Sequence, residues 1–345
     1  METGSSRIEH RGVPPLERLV VDASRVALLV VIAAFGAAAL LGRTPSLDIQ
    51  MLIYLVGMVA INLPHGGYEH FTNLRRRGLP FGARYVALYL AFVAGFIAFF
   101  LLAPVLALGL AFATAVAKGG HGDLRVMDAQ VGSDHLEYRW QRFLAALVRG
   151  GAVMIVPLVF WTETFVGFSD YMLALFDPAL SVPLASGPDV AITALGGLFA
   201  LGVVAHLGSG LLIGGASRAW LLDVFETSLL VVFFAVVPVV VAIGLYFPLW
   251  YSLRQSARSA AVNRQLEHRD DGLPVGLAWA ALVVGALATA TVAAVLWVVV
   301  PNPLGGLPLL PGLVAFYTIF ICIVALPHVV VGEWLDVGRG IWYVP

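Results

Sequence analysis

Apolar runs of the length needed to cross lipid recur from one end of this chain to the other, and they constrain the fold more than any other feature. A membrane-crossing helix needs ~17–25 mostly apolar residues. Clear runs cover about 26–41, 49–64, 143–161, 190–213, 275–300 and 311–331. Of the 345 residues, 60% are hydrophobic and only 12% charged, against roughly 25% charged in soluble proteins. The pattern predicts an all-α, polytopic transmembrane helical bundle. A membrane β-barrel would show short alternating segments instead. A net charge of −1 gives no case for nucleic acid as a partner. The single cysteine, Cys322, rules out an internal disulfide. Residues 1–25 are polar and of mixed charge, without the early apolar core of a cleavable signal peptide. They read as a polar cytoplasmic N-terminal segment, followed by one transmembrane domain over 26–345.

Two further runs, 84–117 and 220–252, are too long for single crossings at ~1.5 Å per residue over a core of ~30 Å. Each has a proline near its middle, Pro104 and Pro238, and proline breaks the helical hydrogen-bond ladder. Basic residues, enriched in cytoplasmic loops, cluster in 1–25, 75–84, 118–149 and 254–269, and are missing from 163–189 and 301–310. Splitting both long runs at their prolines puts every basic residue except Arg43 inside or at the inner edge. The expectation is a multi-pass protein of the cell membrane, with eight to ten spans in the bilayer and both termini cytoplasmic.

In this topology four polar stretches end at one membrane face: "PHGGYEH" (64–70), "AKGGHGDL" (117–124), "YFPLWYSLRQ" (246–255) and "ALPHVVVGEWLD" (325–336). His65, His121, Trp250, Tyr251, Arg254, Gln255 and His328 could share one layer there. Ionisable groups near a membrane core are costly and face a cavity or each other. Histidines on separate helices are how bundles build metal sites. The plainer readings are interfacial histidines solvated on one side, a proline–glycine helix stop, and arginines that set topology or meet lipid headgroups. His206, mid-span among small residues, reads as hydrogen-bonded between helices. His135 reads as a loop residue. His10 and His268 lie in exposed, charged contexts. The stretch "GSGLLIGGAS" reads as a close-packing face.

Together with "RWQRFLAALVRGGAVMIVPLVFWTETF", these stretches, in this order from about residue 50 onwards, resemble the Brp/Blh family of membrane β-carotene 15,15′-dioxygenases associated with rhodopsins. The resemblance implies cleavage of the central double bond of β-carotene by O₂ to two retinal molecules. It also implies a ferrous ion, Fe(2+), held by histidines, and a rhodopsin apoprotein as recipient of the retinal.

The family's first ligand lies in P-H-G-x-x-D-H. Here that is Pro64-His65-Gly66, with Glu69 replacing the aspartate and His70 retained. The second lies in H-F-G or H-W-G followed by an aspartate. One alignment gives His121, with Asp123 close behind, and another puts Lys118 at the ligand position. His121 is preferred, because protonated lysine cannot coordinate iron. The third and fourth lie in W-H-x-x-R-H, which reads Trp250-Tyr251-Ser252-Leu253-Arg254-Gln255. Both histidines are replaced, while the tryptophan and arginine remain. The resemblance thus implies His65 and His121 as metal ligands, and His328, at the same face, is the further metal-ligand candidate, with His70 as its alternative. Tyr251, Gln255 and His70 become variant ligands or cavity lining, with Glu69, Asp123, Trp250 and Arg254 around them. Phenolate can bind iron but favours the ferric state, and an amide carbonyl is a weak donor. A non-catalytic relative that binds carotenoid or retinal and delivers it to an opsin is the alternative. A transporter with a midplane site fits poorly with polar residues gathered at one face.

Overall fold

The computed structural model describes residues 15–62, 83–130, 132–182, 189–258 and 275–337. Every regular element among them is helical, as the apolar runs require. Helix α1, Pro15–Leu40, carries Glu17 in its first turn, where a carboxylate complements the helix dipole. It passes unbroken through residue 25. The change in composition there marks where the chain turns apolar, not where the helix begins.

Helix α2, Leu47–Leu55, runs on as π-helical turns over Val56–Asn62. Helix α3 is Ala83–Leu102 and α4 is Pro104–Gln130. Pro104 opens α4, where its missing N–H would have no helical partner anyway. Then come α5, Arg139–Phe160, α6, Thr162–Ala174, α7, Asp189–Gly214, and α8, Arg218–Val236. Helix α9, Val239–Tyr246, continues as a π-helical segment, Phe247–Ser252, and as regular helix over 253–258. Helices α10, Val275–Val299, and α11, Leu309–Val337, complete the described chain.

Both long apolar runs break at their prolines. At the second break Val237 and Pro238 are extended, with ψ of 129° and 134°. The chain doubles back there. The Phe234 and Tyr246 rings lie 5.3 Å apart and Glu226 pairs with Arg254, so α8 and the segment after Pro238 run antiparallel. Six helices among the described residues are long and apolar enough to cross a membrane. Three further apolar stretches, Leu47–Val59, Val86–Leu102 and Val283–Val299, are shorter as far as their side chains are described. A multi-pass architecture is therefore supported, while eight to ten crossings are not reached on length and composition.

Glycines set the closest helix contacts. A Cβ on Gly120 would strike the Ala146 carbonyl, and one on Gly150 would strike the Val116 carbonyl. Helices α4 and α5 thus meet backbone to backbone. The small-residue stretch after residue 207 also packs closely: Gly214 lies on the His135 backbone, and a Cβ on Gly210 would come 3.1 Å from the His135 and Trp220 rings. Helix α5 packs on α7 and α8, α8 on α1, α9 on α2, and α11 on α2, α3, α4 and α6. One apolar core gathers Phe100, Leu173, Ile319 and Phe320, and a second gathers Phe233, Phe234, Tyr246 and Trp250. Helix α10 joins the first core through Leu296, and its Trp297 ring stands edge-on to Phe316 at 5.0 Å. The outward face of α7 exposes Leu198, Leu201, Val204 and Leu212, as lipid contact requires.

Candidate functional site

The two π-helical segments pack against each other. A π turn inserts one extra residue into a helix and is frequent at functional sites. Glycine also lets the first of them lie close on α9, since a Cβ on Gly57 would collide with the Gly244 carbonyl. The widened turn is held from α11, whose Tyr317 hydroxyl donates to the Met58 carbonyl at 2.9 Å. The first π segment runs directly into the "PHGGYEH" stretch. The second carries Trp250 and Tyr251.

Helix α4 meets that second segment at Gly122. A Cβ built there would come 2.7 Å from Gln255 Nε2 and 3.0 Å from the Tyr251 ring. His121, half-buried, is its neighbour in sequence. The "HGD" and "WYSLRQ" stretches, more than a hundred residues apart, therefore form adjoining walls.

Behind these walls lies a buried ionic network. Arg149, 1% exposed, donates from Nε to Asp123 at 2.7 Å, from Nη1 to Asp223 at 2.7 Å and from Nη2 to Glu226 at 2.5 Å. Arg254 donates from Nη1 and Nη2 to the two Glu226 oxygens at 2.7 and 2.8 Å. Its Nε lies 3.1 Å from Asp123 Oδ1, and its guanidinium stacks 4.1 Å above the Trp250 ring. Trp250 Nε1 donates to the same Asp123 oxygen at 3.1 Å. Arg25 reaches Glu226 from α1 at 2.7 Å. Arg25, Arg149 and Arg254 thus balance Asp123, Asp223 and Glu226. Buried charges persist only when paired in this way. Asp223 Oδ2 also contacts His135 Nε2 at 2.9 Å and His206 Nε2 at 3.0 Å, the second without hydrogen-bond alignment.

The family model for beta-carotene 15,15'-dioxygenase matches residues 56–336, a span that holds all of these stretches. The chain belongs to the beta-carotene 15,15'-dioxygenase family. The family resemblance carried by the ordered motifs is thereby borne out. Proteins named "Probable beta-carotene 15,15'-dioxygenase Brp" from two strains of Halobacterium salinarum, R1 and NRC-1, are each 52% identical over 342 residues, covering 95% of both chains. A second protein of the NRC-1 strain, "Probable beta-carotene 15,15'-dioxygenase Blh", is 36% identical over 229 residues, 64% of each chain. No solved structure matches.

Within this dioxygenase family member, the expected site residues fall into three groups. Tyr251 and Gln255 meet α4 at Gly122, next to His121 in sequence, and Asp123, Trp250 and Arg254 join in the network behind them. Lys118 lies one helical turn before His121 on α4, so the helix itself does not separate the two alignments. His65, Glu69 and His70 lie outside the described residues, and of His328 only its place on α11 is described. No group of three His, Cys, Asp or Glu side chains gathers as metal ligands among the described residues. One imidazole, one phenol and one amide are a poor donor set for ferrous iron.

His206 contacts Asp223 across helices, as its mid-span setting suggested. His135 does lie in the connection between α4 and α5, but it is 1% exposed. Arg149 was read as a basic residue marking the inner edge, and the structure buries and pairs it instead. Arg149, Asp223 and Glu226 carried a signal that the loop count overrode: charged residues inside apolar runs, "ALVRGGAV" and "WLLDVFETSLL", are by default partners of one another.

A shallow groove of about 350 Å³ on α3 is lined by Leu88, Ala91, Phe92, Gly95, Phe96 and Phe99. It offers no polar side chain to orient a ligand.

Proposed function

We propose that this chain cleaves the central double bond of β-carotene with O₂ at a non-haem ferrous site near the cytoplasmic membrane face. Each product aldehyde takes one oxygen atom, so one polyene and one O₂ give two retinals. The reading rests on family membership, and its carrying observation is the meeting of His121's helix with Tyr251 and Gln255 at Gly122. His65 and His121 are the proposed ligands, with His328 or His70 completing the set. A ferrous ion held by these histidines would supply the chemistry that activates O₂. Apolar helix faces solvate the polyene, and the retinal formed leaves into the bilayer towards an opsin. The ionic network keeps its charges paired among themselves and away from the apolar substrate.

One observation favours a second reading. Tyr251 and Gln255 stand where the family motif has histidines, which suits a protein that binds carotenoid or retinal and hands it on. Expression in a β-carotene-producing bacterium, with retinal and carotene quantified and iron measured in the purified protein, separates the two. Cleavage predicts retinal in twofold molar excess over carotene lost, and bound iron. Co-purified carotenoid without retinal would establish delivery instead.

A further inference from the structure

We infer that Arg149 and Glu226, two residues outside the metal-ligand motifs, are positioning residues that set the spacing between the two walls of the candidate site. The inference rests on the proposed site and deepens it. One wall is α4, carrying His121, Gly122 and Asp123. The other is the segment 247–258, carrying Trp250, Tyr251, Arg254 and Gln255. Glycine at position 122 puts the walls in direct contact, so a small change in spacing moves the donor atoms of both.

What fixes the spacing is side-chain bridging. Asp123 on the first wall and Trp250 and Arg254 on the second are joined directly. Both walls are then tied to the same two outside residues. Arg149 on α5 holds Asp123 through Nε and Glu226 through Nη2. Glu226 on α8 holds Arg254 through both carboxylate oxygens. Asp123–Arg149–Glu226–Arg254 is thus a closed ring, with the contact of Arg254 Nε with Asp123 as its last link. A planar guanidinium with five donors in a fixed fork sets angles as well as distances. Arg149 also anchors the ring to Asp223, and Arg25 ties Glu226 to α1. All four ring members are at most 3% exposed, so water does not substitute for a lost link.

The test keeps every charge and changes only reach and shape. Glu226→Asp shortens one link by a methylene, and Arg149→Lys replaces a fork by a single ammonium. Spin labels at exposed Ala117 and Ser256 read the wall spacing. A pair at Phe143 and Val204, on α5 and α7, serves as control. Both variants should broaden or shift the 117–256 distance distribution and leave the control pair unchanged. They should lower kcat for β-carotene by ~10–100-fold, the scale of changes that disturb ligand orientation, with KM within about twofold. An unchanged 117–256 distribution overturns the inference whatever the activity. A fall in kcat that tracks loss of folded protein, with the distance unchanged, overturns it too. If either variant fails to fold, the other gives the same two readings on its own link of the ring. If the native protein makes no retinal, the proposed reaction fails while the distance measurement still decides the positioning role.

Discussion

On the proposed reading, Tyr251 and Gln255 are the residues that decide how well iron is held. They occupy positions four apart, so one helical face carries both, and Gly122 lies against both. Replacing them by histidine restores the family's donor pattern at side chains already directed to α4. The double change Tyr251→His with Gln255→His should raise iron affinity and retinal yield together, by at least the ~10–100-fold scale known for residues around a metal site. Iron titration and product quantification check it. His65→Ala should abolish yield in either background. If the unaltered protein already cleaves at full rate and loses activity on Tyr251→Phe, the phenol is a working part of the site.

Helix ends and helix contacts form the next level. The prolines break the long apolar runs, and the glycines decide how closely the pieces approach. At Gly57 any side chain meets the Gly244 backbone, which no rotamer change can relieve. Gly57→Leu should therefore push the first π segment away from α9 and lower the thermal midpoint. Overpacking of a close contact typically costs ~1–3 kcal/mol. Gly95→Ala on α3, where nothing lies within 4 Å of a Cβ, should leave the midpoint unchanged. Thermal unfolding in detergent, followed by circular dichroism, compares the two. A midpoint for Gly57→Leu equal to that of Gly95→Ala would mean that the π-segment contact does not limit stability.

For the molecule as a whole, orientation follows from the distribution of arginines. Both termini and the 254–269 stretch are expected to be cytoplasmic. A cysteine placed at Asp270, in a background without Cys322, should stay unreactive towards an impermeant thiol reagent in intact cells and react after lysis. Labelling from outside would sink this topology. The reversal at Pro238 brings the segment ending at Ser252 back to the end of the bundle where α8 begins, so the labelling reads the side on which both of these ends lie.

Apolar periodicity and length alone determined a helical membrane bundle, and the two prolines determined where its longest runs break. Both are local properties: twenty apolar residues seek lipid, and a missing N–H ends a ladder, whatever the rest of the chain does. The ordered motifs likewise sufficed for the family and for pointing to Tyr251 and Gln255, which meet α4 at Gly122. Only the tertiary structure decided what the charged residues within the spans do. Arg149 looks like one more inner-edge arginine until α4, α8 and the segment after α9 close around it with Asp123, Asp223 and Glu226. His135 looks like a solvated loop residue until Gly214 lets its backbone in and Asp223 meets its ring. Pairing across helices depends on which faces meet, and glycines far apart in sequence set those faces. No local window contains both partners of a buried ion pair.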